Sequence, residues 1–220
     1  MDAKNARGRL IAAAAVNALI VGVTAWGMGR FFTVGGDGIM AVMDTRCFRY
    51  FTTDSNLLAA LASLLLLIAQ LRCLRGGKSP SRGLLAFKFV GTAAVGVTFF
   101  TVFCFLGTLY GYGSMVRGVN LYMHLITPLL AMLGFSLLET SPALRFPCVF
   151  LGLIPTVLYG AVYFSMVVPE KRWPDFYGFN IGGHWPLSCV LMAAATLLIS
   201  LGLWALRRTV GKKRTGGDRE

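Results

Sequence analysis

A window of about 20 residues, the length that crosses a bilayer as a helix, finds six apolar stretches along this chain. They lie near Leu10–Trp26, Tyr50–Leu71, Ala86–Thr108, Val119–Leu138, Pro147–Val168 and Pro186–Leu206. The pattern predicts an all-α polytopic membrane protein of six transmembrane helices, a single domain over residues 1–208. A charged, glycine-containing tail over residues 209–220 is expected to be disordered. Connections are short, which leaves little chain for a separate soluble domain. The longest of them contains Gly35-Gly36-Asp37-Gly38, which reads as a flexible turn, and Ser141-Pro142 breaks the chain after the fourth span.

Polar residues inside these stretches follow helical spacing, in which positions three, four and seven apart share a face. Thr52, Asn56 and Ser63 align in the second span, Asn120, His124 and Thr127 in the fourth, Thr156, Tyr159 and Tyr163 in the fifth, and His184 with Ser188 at the start of the sixth. Lipid-facing surfaces are apolar, so these stripes are expected to turn inward. His124 stands out because an ionisable group in hydrocarbon costs roughly 2.5 kcal/mol or more. Pro128, four residues on, is expected to loosen the backbone below it.

Composition agrees with the spans: 56% of the 220 residues are hydrophobic and 14% are charged, and the mean hydropathy is +0.68. The net charge of +12 is distributed in clusters at alternating ends of the spans. It therefore reads as a positive-inside topology signal with both termini cytoplasmic, and not as a nucleic-acid surface. The basic, Ala-rich start imitates a signal peptide, but its apolar run is long and no small-residue cleavage site follows, so it is expected to remain as the first span. A plasma or inner membrane is the expected location. The five cysteines are scattered and lack a CxxC, so neither a disulfide framework nor a metal site is expected.

With the N-terminus inside, the second, fourth and sixth spans enter from the same side, which brings Thr52, His124 and His184 toward one face. Thr52 and His124 each lie one or two turns below it. A threonine hydroxyl is a weak nucleophile until a neighbouring base accepts its proton, and neutral histidine suits that task. Unpaired N–H groups in the first turn of the second span can stabilise an oxyanion. Together these predict an acyl-transfer site in a polar pocket near the outer leaflet, taking a lipid or acyl-ester substrate from the bilayer and needing no cofactor. Asp54 and Asn120 are the nearby groups able to orient the histidine, and Asn56, Asn120, Tyr163 and His184 are expected to bind substrate. Thr52 or Thr53 can equally cap the helix. Helical phase favours Thr52 as nucleophile over Thr53, but the residues alone leave that choice open.

The segment Tyr50-Phe-Thr52-Thr-Asp-Ser-Asn-Leu-Leu58, followed in a later span by Met123-His124-Leu-Ile-Thr-Pro128, resembles the androgen-induced-gene and androgen-dependent-regulator family of multi-span membrane proteins and their bacterial relatives. Members resembling this are threonine hydrolases that cleave fatty acid esters of hydroxy fatty acids. The resemblance implies a six-span layout with Thr52 as nucleophile and His124 as its partner. Two other readings compete. One is a haem-binding electron carrier with His124 and His184 as axial ligands; the other is a small transporter, which requires the polar stripe to continue into the other half of the membrane. The inner halves of the spans read as mostly Leu, Ala, Val and Ile, which favours a one-sided pocket.

Overall fold

The computed structural model describes residues 3–33, 44–139 and 142–216, and among them it contains no strand. Six helices are long and apolar enough to cross a membrane: α1 (Ala3–Thr33), α2 (Phe51–Leu74), α3 (Arg82–Tyr110), α4 (Val119–Leu138), α5 (Cys148–Val167) and α6 (Trp185–Gly216). The expected all-α, six-span architecture is therefore observed, as in a multi-pass membrane protein. Residues 35–38, where a turn was expected, and the expected break at Ser141 lie outside the described residues. Helix α6 continues to Gly216, past residue 208 where the tail was expected to begin, and residues 217–220 lie outside the described part.

Helix α3 is the centre of the bundle. It packs on α2, α4, α5 and α6, and α1 closes the other side against α2 and α4. Its middle is built of small residues, with Gly91, Ala93, Ala94 and Gly96 all buried. A Cβ added at Gly91 would lie 3.0 Å from Ala59 Cα, so α2 and α3 meet backbone to backbone there. Without a hydrophobic force between helices in lipid, such close approach supplies much of the attraction. Ser81 caps α3 by accepting from Leu84 N–H at 3.2 Å, and Gly76, with φ +89°, ends α2 in the left-handed conformation.

The buried polar residues do not stop at one end of the bundle. Along α2, Thr52, Asn56, Ser63 and Gln70 are all buried, so the inward polar stripe runs nearly the whole helix. At the end remote from Thr52, Lys88 Nζ donates to Ser63 Oγ at 2.5 Å. Asn17 Nδ2 donates to both Gln70 Oε1 (3.1 Å) and Glu139 Oε1 (2.6 Å). Arg207 folds back over Phe135 and donates from Nε to the Glu139 carbonyl and from Nη2 to the Pro142 carbonyl, each at 2.7 Å. This corrects two expectations. Lys88 and Arg207, which belong to the basic clusters at the ends of the spans that read as a topology signal, are both buried, and the remote half of the bundle is not simply apolar. Both residues sit near the ends of their apolar runs, where a charge reads as flanking unless helix packing reveals the inward face.

Lys88 and Glu139 lie within electrostatic reach of one another. Removing one member of such a buried set leaves the other charge uncompensated, at a cost on the order of 3 kcal/mol. Lys88→Met is expected to lower the unfolding midpoint in detergent clearly, and Lys88→Met combined with Glu139→Gln to recover part of the loss. A single variant as stable as the parent would show that the ammonium is not part of a coupled set.

Candidate active site

The start of α2 is organised by its neighbours rather than by its own hydroxyls. Tyr50 occupies the cap position without a side-chain cap, and its carbonyl accepts the N–H groups of Thr53 (3.0 Å) and Asp54 (3.3 Å). The Phe51 N–H donates instead to the Tyr177 hydroxyl at 2.9 Å. The Thr52 carbonyl accepts from Asn56 Nδ2 (2.7 Å) and Ser55 Oγ (3.1 Å). Neither threonine caps the helix, so the Thr52 side chain is available for something else. Its Oγ1 lies 3.4 Å from His124 Nε2, the loose spacing that nucleophile and base commonly show before substrate engages them.

His124 is held by two local features. A proline ring clashes with the carbonyl four residues before it, here that of His124 itself, and α4 opens into a wide π-helical turn over Tyr122–Ile126 just ahead of Pro128. Such turns recur at functional sites. The second feature is the connection from α3 to α4, which folds inward through a short helical turn, Tyr112–Met115, between Gly111 (φ +83°) and Gly118 (φ +56°, ψ −130°). This puts the Met115 carbonyl 2.6 Å from His124 Nδ1. A carbonyl can only accept, so Nδ1 carries the proton and Nε2 presents its lone pair toward Thr52. The group that orients the histidine is thus a backbone carbonyl. Asn120 donates to the Ser114 carbonyl (3.2 Å), supporting the same connection, while Asp54 borders a different crevice, beside Phe48, Leu158 and Trp173.

Thr52 lines a cavity of about 460 Å³ enclosed by α2, α3, α5, α6 and the connection before α6. Its walls are mainly aromatic and aliphatic, including Phe51, Tyr159, Tyr163, Phe164 and Trp185. The polar pocket expected at this end is therefore an apolar chamber with a polar wall, because Asn56, Asn120 and His124 pack behind Thr52 in the helix interface. Tyr163 lines the chamber. Asn56 instead ties α2 to α4 by donating to the Met123 carbonyl at 3.0 Å. His184 is exposed and borders no part of the chamber. Its distance from the site follows from the irregular chain before α6, which puts Trp185 and Ser188, not His184, on the chamber side. His124 has both ring nitrogens engaged, so the structure does not pair the two histidines around a common ligand. Thr53 Oγ1 is fully buried with no partner among the described residues, and Thr53 borders no part of the chamber. That separates the two threonines where the residues alone did not.

Tyr177 is the residue that sequence reasoning missed. It sits in the aromatic connection before α6, which reads from sequence as a membrane-interface loop. Asp175 organises that connection, accepting from the Tyr163 hydroxyl (2.8 Å), Phe179 N–H (3.0 Å) and Asn180 N–H (2.7 Å). The Tyr163 hydroxyl in turn accepts the Tyr177 N–H at 3.1 Å. Tyr177 is thereby delivered to the chamber wall beside Thr52. Burial holds its phenol above the ordinary tyrosine range, so it remains a proton donor at working pH. Its oxygen accepts from Phe51 N–H, and its hydroxyl also shares a hydrogen bond with that of Tyr159, whose own proton goes to the Arg49 carbonyl at 2.6 Å. The Tyr177 proton therefore rests on Tyr159 and reaches a substrate oxygen by turning away from it.

Comparison with known protein families, with curated proteins and with solved structures finds no match. The geometry of Thr52, His124, the Met115 carbonyl and Tyr177 therefore carries the functional reading.

The chain has only two histidines, which makes the tautomer directly measurable. In protein labelled with ¹⁵N-histidine and assigned through His184→Gln, His124 is expected to show a single Nδ1–H tautomer at neutral pH. Gly118 adopts a backbone conformation open essentially to glycine alone, and Gly118→Ala is expected to shift that signal by displacing the Met115 carbonyl. A His124 resonance averaged between tautomers in the parent would contradict the assignment.

Proposed function

We propose that this chain is an integral-membrane ester hydrolase acting on lipid-like acyl esters, with Thr52 as nucleophile and His124 as general base. The observation that carries this reading is the approach of Thr52 Oγ1 to the unprotonated Nε2 of a tautomer-locked His124, at the wall of an apolar chamber. The resemblance of the segments around Thr52 and His124 to the androgen-induced-gene and androgen-dependent-regulator family supports the same assignment, with fatty acid esters of hydroxy fatty acids as one such substrate.

In this mechanism Thr52 Oγ1 attacks the ester carbonyl as its proton passes to His124 Nε2. Negative charge collects on the carbonyl oxygen, which in this reading is met by the Thr52 N–H, without a backbone acceptor among the described residues, and by the Tyr177 hydroxyl as it turns from Tyr159. Collapse breaks the bond to the alcohol oxygen, which takes the proton from His124. A water molecule, deprotonated by His124 in turn, then attacks the acyl-threonine ester. That step releases the carboxylic acid and restores the threonine hydroxyl. The neutral imidazole is the working form, so activity is expected to fall on acidification as His124 becomes protonated.

A second reading is favoured by the buried polar stripe that reaches Lys88 and Glu139. Continuity of polar groups into the remote half is what a small transporter requires, and buried charges in membrane helices often mark ion or proton paths.

Hydrolysis of a fluorogenic acyl ester by purified protein distinguishes the two. Thr52→Ala and His124→Ala are each expected to lower turnover by about a hundredfold or more, and Tyr177→Phe by roughly tenfold or more as one oxyanion donor is lost. Thr53→Ala is expected to retain activity. Turnover unaffected by Thr52→Ala, or ester-inert protein showing proton or solute flux in liposomes that Glu139→Gln abolishes, would favour transport instead.

A further inference from the structure

A second cavity, of about 850 Å³, runs down the outside of the bundle between α3, α4 and α6. Its lining is apolar over nearly its whole extent, and along α6 it reaches from Ser188 to Leu206. At the helical rise of about 1.5 Å per residue, that is about 27 Å, close to the ~30 Å thickness of a bilayer's hydrocarbon core. The two cavities meet, because Val97, Thr101, Phe179, Ser188 and Met192 border both. The junction lies close to Thr52. Ser55, three residues along α2, shares a 2.8 Å hydrogen bond with Thr98, which is one turn of α3 from Thr101.

We propose that this groove is the binding site for a long, unbranched acyl chain of the ester substrate, entering sideways from the bilayer between α4 and α6, with the reacting carbonyl at the junction and the remainder of the ester in the aromatic chamber. The proposal rests on the hydrolase reading and adds a chain-length selectivity to it. An acyl chain moving from lipid into an apolar groove leaves no water behind, so there is little hydrophobic gain to favour longer chains. Discrimination by length must therefore come from the shape and reach of the groove. Two positions on α6 make that reach measurable. Ala195 lies about 10 Å from Ser188 along the helix and Gly202 about 21 Å, and both line the groove. A Cβ at Gly202 would meet nothing within 4 Å, so a larger side chain there can fill the groove without displacing neighbours.

The test is turnover of nitrophenyl esters of four, eight, twelve and sixteen carbons by the parent, Ala195→Phe, Gly202→Phe and Thr52→Ala. The parent is expected to accept all four. Ala195→Phe is expected to lower turnover of the twelve- and sixteen-carbon esters at least tenfold while leaving the four-carbon ester within twofold. Gly202→Phe is expected to affect only the longest. An Ala195→Phe variant that lowers every length alike, or none, overturns the groove. Photo-crosslinking in Thr52→Ala with a sixteen-carbon ester bearing a terminal diazirine separates the groove from the chemistry. Label concentrated around Leu198 and Gly202, and lost in the added Ala195→Phe change, supports it. Label spread evenly over the outward faces of α5 and α6 shows ordinary lipid contact and overturns it. Concentrated label together with a parent that hydrolyses no ester sinks the hydrolase reading while leaving the groove as an acyl site.

Discussion

The hydrogen bond from His124 Nδ1 to the Met115 carbonyl is the constraint on which the site depends. A buried imidazole at this depth needs its polar atoms satisfied, and a carbonyl acceptor satisfies the protonated nitrogen while aiming the other at Thr52. Supplying that carbonyl requires the α3–α4 connection to turn inward, which in turn requires Gly111 and Gly118 to adopt conformations that side chains disfavour. The wide turn before Pro128 and the Asn56 bridge to Met123 then set where the ring sits relative to α2. Each of these features is ordinary alone; their convergence gives one oriented nitrogen beside one hydroxyl.

The opposite wall is set by the connection before α6. Asp175 gathers that segment, Tyr163 anchors it to α5, and Tyr177 reaches the first residue of α2. One aromatic side chain thus both completes the helix terminus and delivers a donor to the chamber. The chamber is mainly apolar although residues of four expected polar stripes lie near it. The polar groups that do line it, such as Thr98, Thr156 and Ser188, are scattered among apolar neighbours, and the amides of Asn56 and Asn120 are engaged with backbone carbonyls behind Thr52. The Lys88, Glu139 and Asn17 set at the remote end shows this principle without an adjoining chamber, joining α1, α2 and α3 to the end of α4.

Hydropathy made the six helices legible because unbroken apolar runs of this length have few other folded outcomes. It missed their ends, as at Ala3–Thr33 and Trp185–Gly216, because helices continue into flanking polar sequence that a hydrophobic window discounts. Helical phase put Thr52 and His124 on inward faces, and both are buried, although the wide π-helical turn over Tyr122–Ile126 that carries His124 is not a feature that regular phase anticipates. It failed for His184, where the irregular chain before α6 breaks the phase, and for Lys88 and Arg207, whose charge resembled an interfacial flank. The Met115 carbonyl left no mark in the side-chain pattern, because every residue has a carbonyl and only tertiary folding decides which one is delivered. The closely spaced glycines Gly111, Gly113 and Gly118 were the local sign of that turn.

The most direct measurement is the identity of the residue modified when the purified protein reacts with a fluorophosphonate, read by peptide mass mapping. A phosphonate on Thr52, absent when His124 is replaced by alanine in a protein that still folds, is the predicted result. Modification at Thr53 or another residue, or adduct formation on Thr52 that is indifferent to His124, would contradict the account.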